Sequence, residues 1–427
     1  MTLAHRIRAM AQHPRTRFAA MMSTAQGLNG LSVLLVFRWL DPLAMGYWSA
    51  AQLVTLPLDA LKLGILSGFA REYPYLLGRG ERERAHWLVE AALAHSLLMC
   101  GLGFLAIGGL ALLSPDSGSA RSASITAAIV WTLGYYAQFV RSTFRSSNAF
   151  TMLGGIELGI ALMGVVTLVL VEWLGFQGLL LRAVLLATIA SGAFFAFRPV
   201  RARPRIHWIA IREMFNFGRH KYITGYMLLV GQQAERIALL TFAGGVEAVG
   251  LYSPVLGIWS LLQVIPNVLH ASSYPQFIEA YGRDHDARRL LKGLLGQIRK
   301  TAIVMVFISA FAGVIGWTIV VYLLPKYSAA GLPIIIACCA GPFLSVGMLA
   351  TYYSALKSWQ NYYIFTALQA VLPYLLISGL LMVMPPLVAT ATGVAGAVAI
   401  SMLSMLILTL RHAAASARAS SGSRDAS

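Results

Sequence analysis

The chain has 427 residues, of which 58% are hydrophobic and 11% charged, against roughly 25% charged in soluble domains. With a mean hydropathy of +0.70 it has too little polar surface for water on every side, which excludes a soluble globular enzyme. Its net charge of +17 does not point to nucleic acid, because the basic residues sit in short connectors between apolar runs, the pattern that orients membrane proteins.

The apolar runs lack the alternation of barrel strands and are about 20 residues long, the length of a membrane-crossing helix. They predict helices near 19–38, 43–68, 86–113, 123–144, 150–171 and 176–197. A second set follows near 221–242, 247–270, 301–324, 331–356, 361–384 and 387–410. The fold class is therefore all-α: a polytopic membrane protein of about twelve transmembrane helices. The expected organisation is an N-terminal six-helix lobe at 1–197, a basic cytoplasmic linker at 198–220, a C-terminal six-helix lobe at 221–410 and a disordered cytoplasmic tail at 411–427. The first apolar run has no small-residue cleavage site after it and reads as an uncleaved helix. Cys100, Cys338 and Cys339 lie inside apolar runs and read as reduced packing residues.

Orientation follows from the basic residues. With the N-terminus inside, the inner segments hold Arg6, Arg8, Arg15 and Arg17, then Arg71, Arg79, Arg82 and Arg84, and most later Lys and Arg through Lys357 and Arg424. Of 33 Lys and Arg, just Arg38, Arg121 and Lys326 fall outside, and Lys62, Arg182 and Arg236 fall within spans. That bias places a multi-pass chain in a bacterial cytoplasmic membrane with both termini cytoplasmic.

The halves also resemble each other. Met45-Gly46-Tyr47-Trp48-Ser49 corresponds to Val249-Gly250-Leu251-Tyr252-Ser253, Gly78-Arg79 to Gly282-Arg283, and Tyr73-Pro74 to Tyr274-Pro275. Six spans per half make this a parallel internal repeat, an arrangement that in transporters puts the substrate between halves. Basic residues mixed with Ile206, Trp208, Ile209 and Phe217 in the linker, and with Leu290, Leu291, Leu294 and Ile298 in the loop at 283–300, suit amphipathic helices lying on an anionic inner leaflet.

The run from Asp59 to Pro74 resembles the second helix of the oligosaccharide flippases in the multidrug/oligosaccharidyl-lipid/polysaccharide exporter superfamily. Glu235-Arg236-Ile237-Ala238 resembles that family's acidic-Arg-apolar seventh helix, Gly250-Leu251-Tyr252-Ser253 the opening of its eighth, and Pro325-Lys326-Tyr327 the turn after its ninth. Glu235 stands where members often carry Asp, and twelve expected spans differ from the fourteen of the lipid II branch. The resemblance implies a flippase that moves undecaprenyl-diphosphate-linked oligosaccharide to the outer leaflet by alternating access, for surface polysaccharide biosynthesis. Its implied partners are that polyprenyl-diphosphate-linked glycan, membrane lipids and other surface-polysaccharide assembly proteins, with no nucleic acid, cofactor or metal.

Charges inside spans each cost roughly 2.5–3.5 kcal/mol at mid-membrane, so they need partners or a wet cavity. Arg236, Lys62, Arg182 and Arg38 are candidates for a cationic, diphosphate-attracting cavity, because guanidinium and ammonium groups suit phosphate oxygens. Glu235, Asp59 and Glu157 are candidates for coupling transport to an ion. The bland readings stand beside these: Asp59 and Lys62, three apart, can pair with each other, Arg38 can snorkel to headgroups, and Glu235 can neutralise an arginine. Asn29, Gln232 and Gln233 could bind sugar hydroxyls or bridge helices, and Tyr135, Tyr136, Tyr222, Tyr226, Tyr352 and Tyr353 could line a sugar path or form an interfacial belt. A cation-coupled multidrug exporter of the same fold is the alternative. A membrane glycosyltransferase or polymerase is weaker, resting on Asp284-His285-Asp286 alone. No Gly-x-Ser-x-Gly elbow, phosphate loop or zinc-type spacing marks an enzyme.

Overall fold

The structure, a computed structural model, describes residues 14–113, 118–147, 149–242, 244–284, 286–356 and 358–422. Arg6, Arg8, His285, Lys357 and Arg424, used above, lie outside these. The described residues are helical throughout their ordered elements, with no strand. They form two compact units divided between Ile223 and Thr224.

In the first unit, α1 spans Pro14–Trp39. Asp41 then caps α2 (Pro42–Ala51), accepting from the Ala44 amide at 2.9 Å, with Pro42 at the first helical position where its missing N–H costs nothing. The span continues as a 3₁₀ turn (Gln52–Val54), α3 (Thr55–Ala60) and α4 (Ile65–Gly78), bending by 58° between its halves. The bend sits where Leu63 (φ 50°) and Gly64 (φ 73°) adopt left-handed backbone. Next come α5 (Arg82–Leu113), α6 (Ser119–Ser146), α7 (Phe150–Val166) and α8 (Leu168–Ala196). The last contains a break at Gly175, whose φ of 57° and ψ of −129° are open to glycine alone, and the chain folds back so tightly that a Cβ on Gly178 would lie 1.8 Å from the Leu170 carbonyl oxygen. Phe69, Phe139, Phe144, Phe194 and Met214 lie in the core of this unit.

The helix α9 (Trp208–Gln232) crosses the boundary between the units, and α10 (Ala234–Phe242) follows it after a one-residue break. Gly244 and Gly245, both at positive φ, turn the chain into α11 (Gly245–Asp284). Asp286 caps α12 (Ala287–Thr318) by accepting from the amides of Arg288 (2.8 Å) and Arg289 (3.1 Å). A π turn (Ile319–Leu323), a 3₁₀ segment (Pro325–Ala330), α13 (Gly331–Cys339), a second 3₁₀ segment (Gly341–Leu349) and α14 (Ala350–Leu356) make the next crossing, followed by α15 (Trp359–Leu380) and α16 (Pro386–Gly422).

Among the described residues nine helices are long and apolar enough to cross a membrane, ten with the bent pair counted as one span. The expected spans missing from the nine are the second, fifth and seventh, and each is broken: at 61–64, at Thr167, and at Gln233. Three other expectations change. The stretch from 198 to 220 is not a separate linker helix, since Trp208 onwards runs without interruption into the seventh span. The segment at 287–300 is continuous with the ninth span, and Leu290, Leu291, Leu294 and Ile298 are buried in protein rather than laid against lipid. The last helix also continues past 410 to Gly422, where a disordered tail was expected, because the Ala-rich sequence there propagates a helix already nucleated in the span.

Candidate substrate cavity

In the first unit, the break in the second span collects a closed polar cluster. Asp59 and Lys62 form an ion pair across one turn. The Trp131 indole N–H donates to Asp59 Oδ1 at 2.8 Å. Lys62 Nζ lies 5.3 Å and 5.2 Å from the ring centres of Trp131 and Tyr135, which stack on each other. His95 Nε2 lies 3.1 Å from the Tyr135 hydroxyl. The carbonyls freed by the break are capped by Tyr222, whose hydroxyl donates to Ala60 O and, at 3.3 Å, to Asp59 O. Glycine contacts hold the break together: a Cβ on Gly218 would sit 2.1 Å from Gly64 O, and one on Gly68 would sit 1.9 Å from Met214 O.

The other charged candidates of this unit are likewise engaged or exposed. Glu157 accepts from Arg141 Nε at 2.6 Å, and the Arg141 guanidinium lies 4.9 Å from the centre of the Phe194 ring. Arg182 donates through Nε (3.2 Å) and Nη2 (2.9 Å) to Gly164 O, a carbonyl next to the break at Thr167. Arg38 is exposed at the end of α1. Lys62, Arg182 and Arg38 therefore occupy three separate environments.

The second unit differs. Its seventh span also breaks, at Gln233, where a Cβ on Gly231 would lie 2.1 Å from Gln369 O of α15. The Val230 carbonyl, which accepts from the Gln233 amide at 3.0 Å, also accepts from the Tyr374 hydroxyl at 2.9 Å. Here the break opens onto a cavity of about 490 Å³. Gln232, Gln233, Glu235 and Arg236 line it from the break, and Gln369 and Pro373 from α15. Leu256, Trp259, Ser260, Gln263, Asn267 and His270 line it from α11. Leu256, Trp259 or Ser260, Gln263, Asn267 and His270 recur every three or four residues, one helical face.

Arg236 is held by Gln233, Nη1 donating to Oε1 at 2.6 Å. Its Nε is buried and has no hydrogen-bond partner among the described residues. Ser401 Oγ, on the same wall, is also buried without a partner. Glu235 is 7% exposed and hydrogen-bonds to the fully buried Tyr252, so the neighbouring charges have different partners, as adjacent helical positions require. His270 is tied to Thr351 Oγ1 at 2.8 Å. Among the described residues, the amides of Gln232, Gln263, Asn267 and Gln369 make no hydrogen bond to the protein.

Of the residues singled out in the sequence, the cavity thus takes Arg236, Glu235, Gln232 and Gln233. Trp259, Gln263, Asn267, His270 and Gln369 were missed. The signal for four of them was a polar residue on one face of an otherwise apolar helix. Tyr352 and Tyr353 are fully buried, Tyr353 taking a hydrogen bond from Thr409 at 2.8 Å, and line no path.

These features define a multi-pass membrane protein of two helical units, one of which carries an open cavity lined in part by polar side chains. No protein-family model and no curated protein matches the chain. Its fold matches the inward-facing form of a multidrug resistance MATE family transporter of the MOP superfamily, with TM-score 0.72 and 14% identity over 91% of this chain and 95% of that one. It also matches a MOP superfamily transporter from Pyrococcus furiosus, for which reversed polarity of the binding pocket suggests a different function (TM-score 0.67, 14% identity, 95% and 97% covered). A third match is the lipid II flippase MurJ in an inward closed conformation (TM-score 0.67, 13% identity, 91% and 86% covered). The chain therefore has the two-lobed, all-helical fold of these transporters.

Proposed function

We propose that this protein is an alternating-access flippase that carries polyprenyl-diphosphate-linked oligosaccharide from the cytoplasmic to the outer leaflet of a bacterial inner membrane, for surface polysaccharide biosynthesis. The observation that carries the reading is Arg236: a guanidinium held inside a span by Gln233 and lining a cavity. A fixed guanidinium at a cavity inside a membrane suits the oxygens of an anionic ligand such as a diphosphate. In this reading the six-helix groups at 1–197 and 221–410 are the lobes that move, and the lipid tail stays in the bilayer. Arg236→Ala is expected to abolish surface-polymer export at normal protein abundance, with lipid-linked oligosaccharide accumulating on the cytoplasmic face. Normal export by the variant would remove Arg236 from the site.

A cation-coupled multidrug exporter is the second reading, favoured by the multidrug transporters that share the fold and by Glu235 on the same cavity wall. A drug-susceptibility panel with and without the gene separates the two, since a flippase leaves drug tolerance unchanged.

A further inference from the structure

We infer that the cavity of the second unit contains a saccharide subsite, in which Gln263, Asn267 and Gln369 take sugar hydroxyls and Trp259 supplies an apolar ring face. This rests on the flippase reading above and places the glycan part of that substrate.

A side-chain amide carries two donors and an acceptor oxygen with two lone pairs, and inside a bilayer an unmet one is expensive. Interhelical bridging is the usual remedy, yet these amides make no protein hydrogen bond among the described residues. They line the same cavity as the Trp259 indole. The ligand chemistry that fits is neutral, dense in groups that both donate and accept, and apolar on one ring face. A sugar has that description, because its hydroxyls match amides in both directions and its C–H face packs on an aromatic ring. A hydrophobic cation would leave the amides unpaired and would sit beside the Arg236 charge.

Spacing sets the register. Trp259, Gln263 and Asn267 are at i, i+4 and i+8 of the uninterrupted helix α11, so they rise about 6 Å per step and extend over about 12 Å. That is room for more than one ring along the wall, with Arg236 on the helix that follows the break.

The test uses the full-length chain purified from cells that make the surface polymer. Lipids that copurify are extracted, and lipid-linked glycan per protein is measured by mass spectrometry for wild type, Gln263→Leu, Asn267→Leu and Trp259→Ala. Leucine removes the hydrogen bonds at similar volume, and thermal unfolding in detergent identifies any variant that fails to fold, so the three substitutions back one another up. The same measurement is made in cells blocked after the first sugar, where the lipid carries a diphosphate and one residue. The expected result is a loss of about tenfold in bound full-length glycan for folded variants, the scale of about one hydrogen bond or stacking contact, with a smaller loss for the single-sugar lipid. Wild-type occupancy in the folded variants would overturn the subsite. If gene deletion at the same time still traps glycan on the cytoplasmic face, the flippase reading stands without it. Wild type that carries phospholipid alone, with export intact after deletion, would overturn both.

Discussion

The breaks in the second and seventh spans are built alike and end differently. In each, a glycine presses on a foreign backbone: a Cβ on Gly218 or on Gly231 would meet a carbonyl oxygen at 2.1 Å. In each, a tyrosine hydroxyl from another helix donates to a backbone carbonyl beside the break, Tyr222 to Ala60 O and Tyr374 to Val230 O. The first break then satisfies its polar groups internally, with Asp59, Lys62, Trp131, Tyr135 and His95 joined by an ion pair, hydrogen bonds and cation–π contacts. The second leaves amides at a cavity that Arg236 also lines. A helix can therefore be broken inside a membrane by one device for two ends, a self-satisfied bend or an open site.

The comparison can be broken at several points. The largest effect is expected from the glycines. Gly218→Ala and Gly231→Ala put a methyl group into backbone that cannot yield, and each is expected to cost about 3 kcal/mol or more, read as a large fall in melting temperature or in folded yield. A mild effect at either position would mean that its helices are not in contact there.

The ion pair comes next. Asp59→Ala leaves Lys62 unpaired within a span and is expected to cost roughly 3 kcal/mol, while the double change Asp59→Ala with Lys62→Ala is expected to recover most of it. Additive losses in that cycle would make the cluster something other than a self-satisfied unit. At the second break the outcome should differ in kind: Arg236→Ala should eliminate export while costing stability no more than its hydrogen bond to Gln233 and its attraction to Glu235, about 1–2 kcal/mol.

The tyrosine caps should matter less. Tyr222→Phe and Tyr374→Phe each remove one hydrogen bond to a carbonyl, worth about 1 kcal/mol, and similar losses at both sites would show that the breaks are held alike. Smallest is Asp286→Ala, expected to cost about 1 kcal/mol through loss of a helix cap and to leave glycan assembly intact. Loss of glycan synthesis in that variant would revive an enzymatic role for the Asp284–Asp286 string.

Several site features were legible early because charge within a span is rare. Asp59, Lys62, Glu157, Arg182, Glu235 and Arg236 all mark polar structure, at breaks or in pairs. Their partners were not legible. Glu157 pairs with Arg141 on the preceding helix. Arg182 caps a carbonyl instead of joining a cavity, because a break at Thr167 offers it one. Gln263 and Asn267 were passed over, since an amide in a span has the same sequence signature whether it bridges helices or faces water.

By itself the amino-acid sequence determined that this protein is a helical, multi-pass membrane protein, because hydropathy acts over windows of about 20 residues and backbone groups in lipid must be satisfied within the segment. It also determined which side chains would be anomalous there. The tertiary structure alone decided where the spans break, which charges neutralise one another and which amides are left open. Those outcomes depend on approaches between distant residues, such as Gly64 with Gly218 and Gly231 with Gln369, where closely packed backbones set the geometry that local patterning cannot encode.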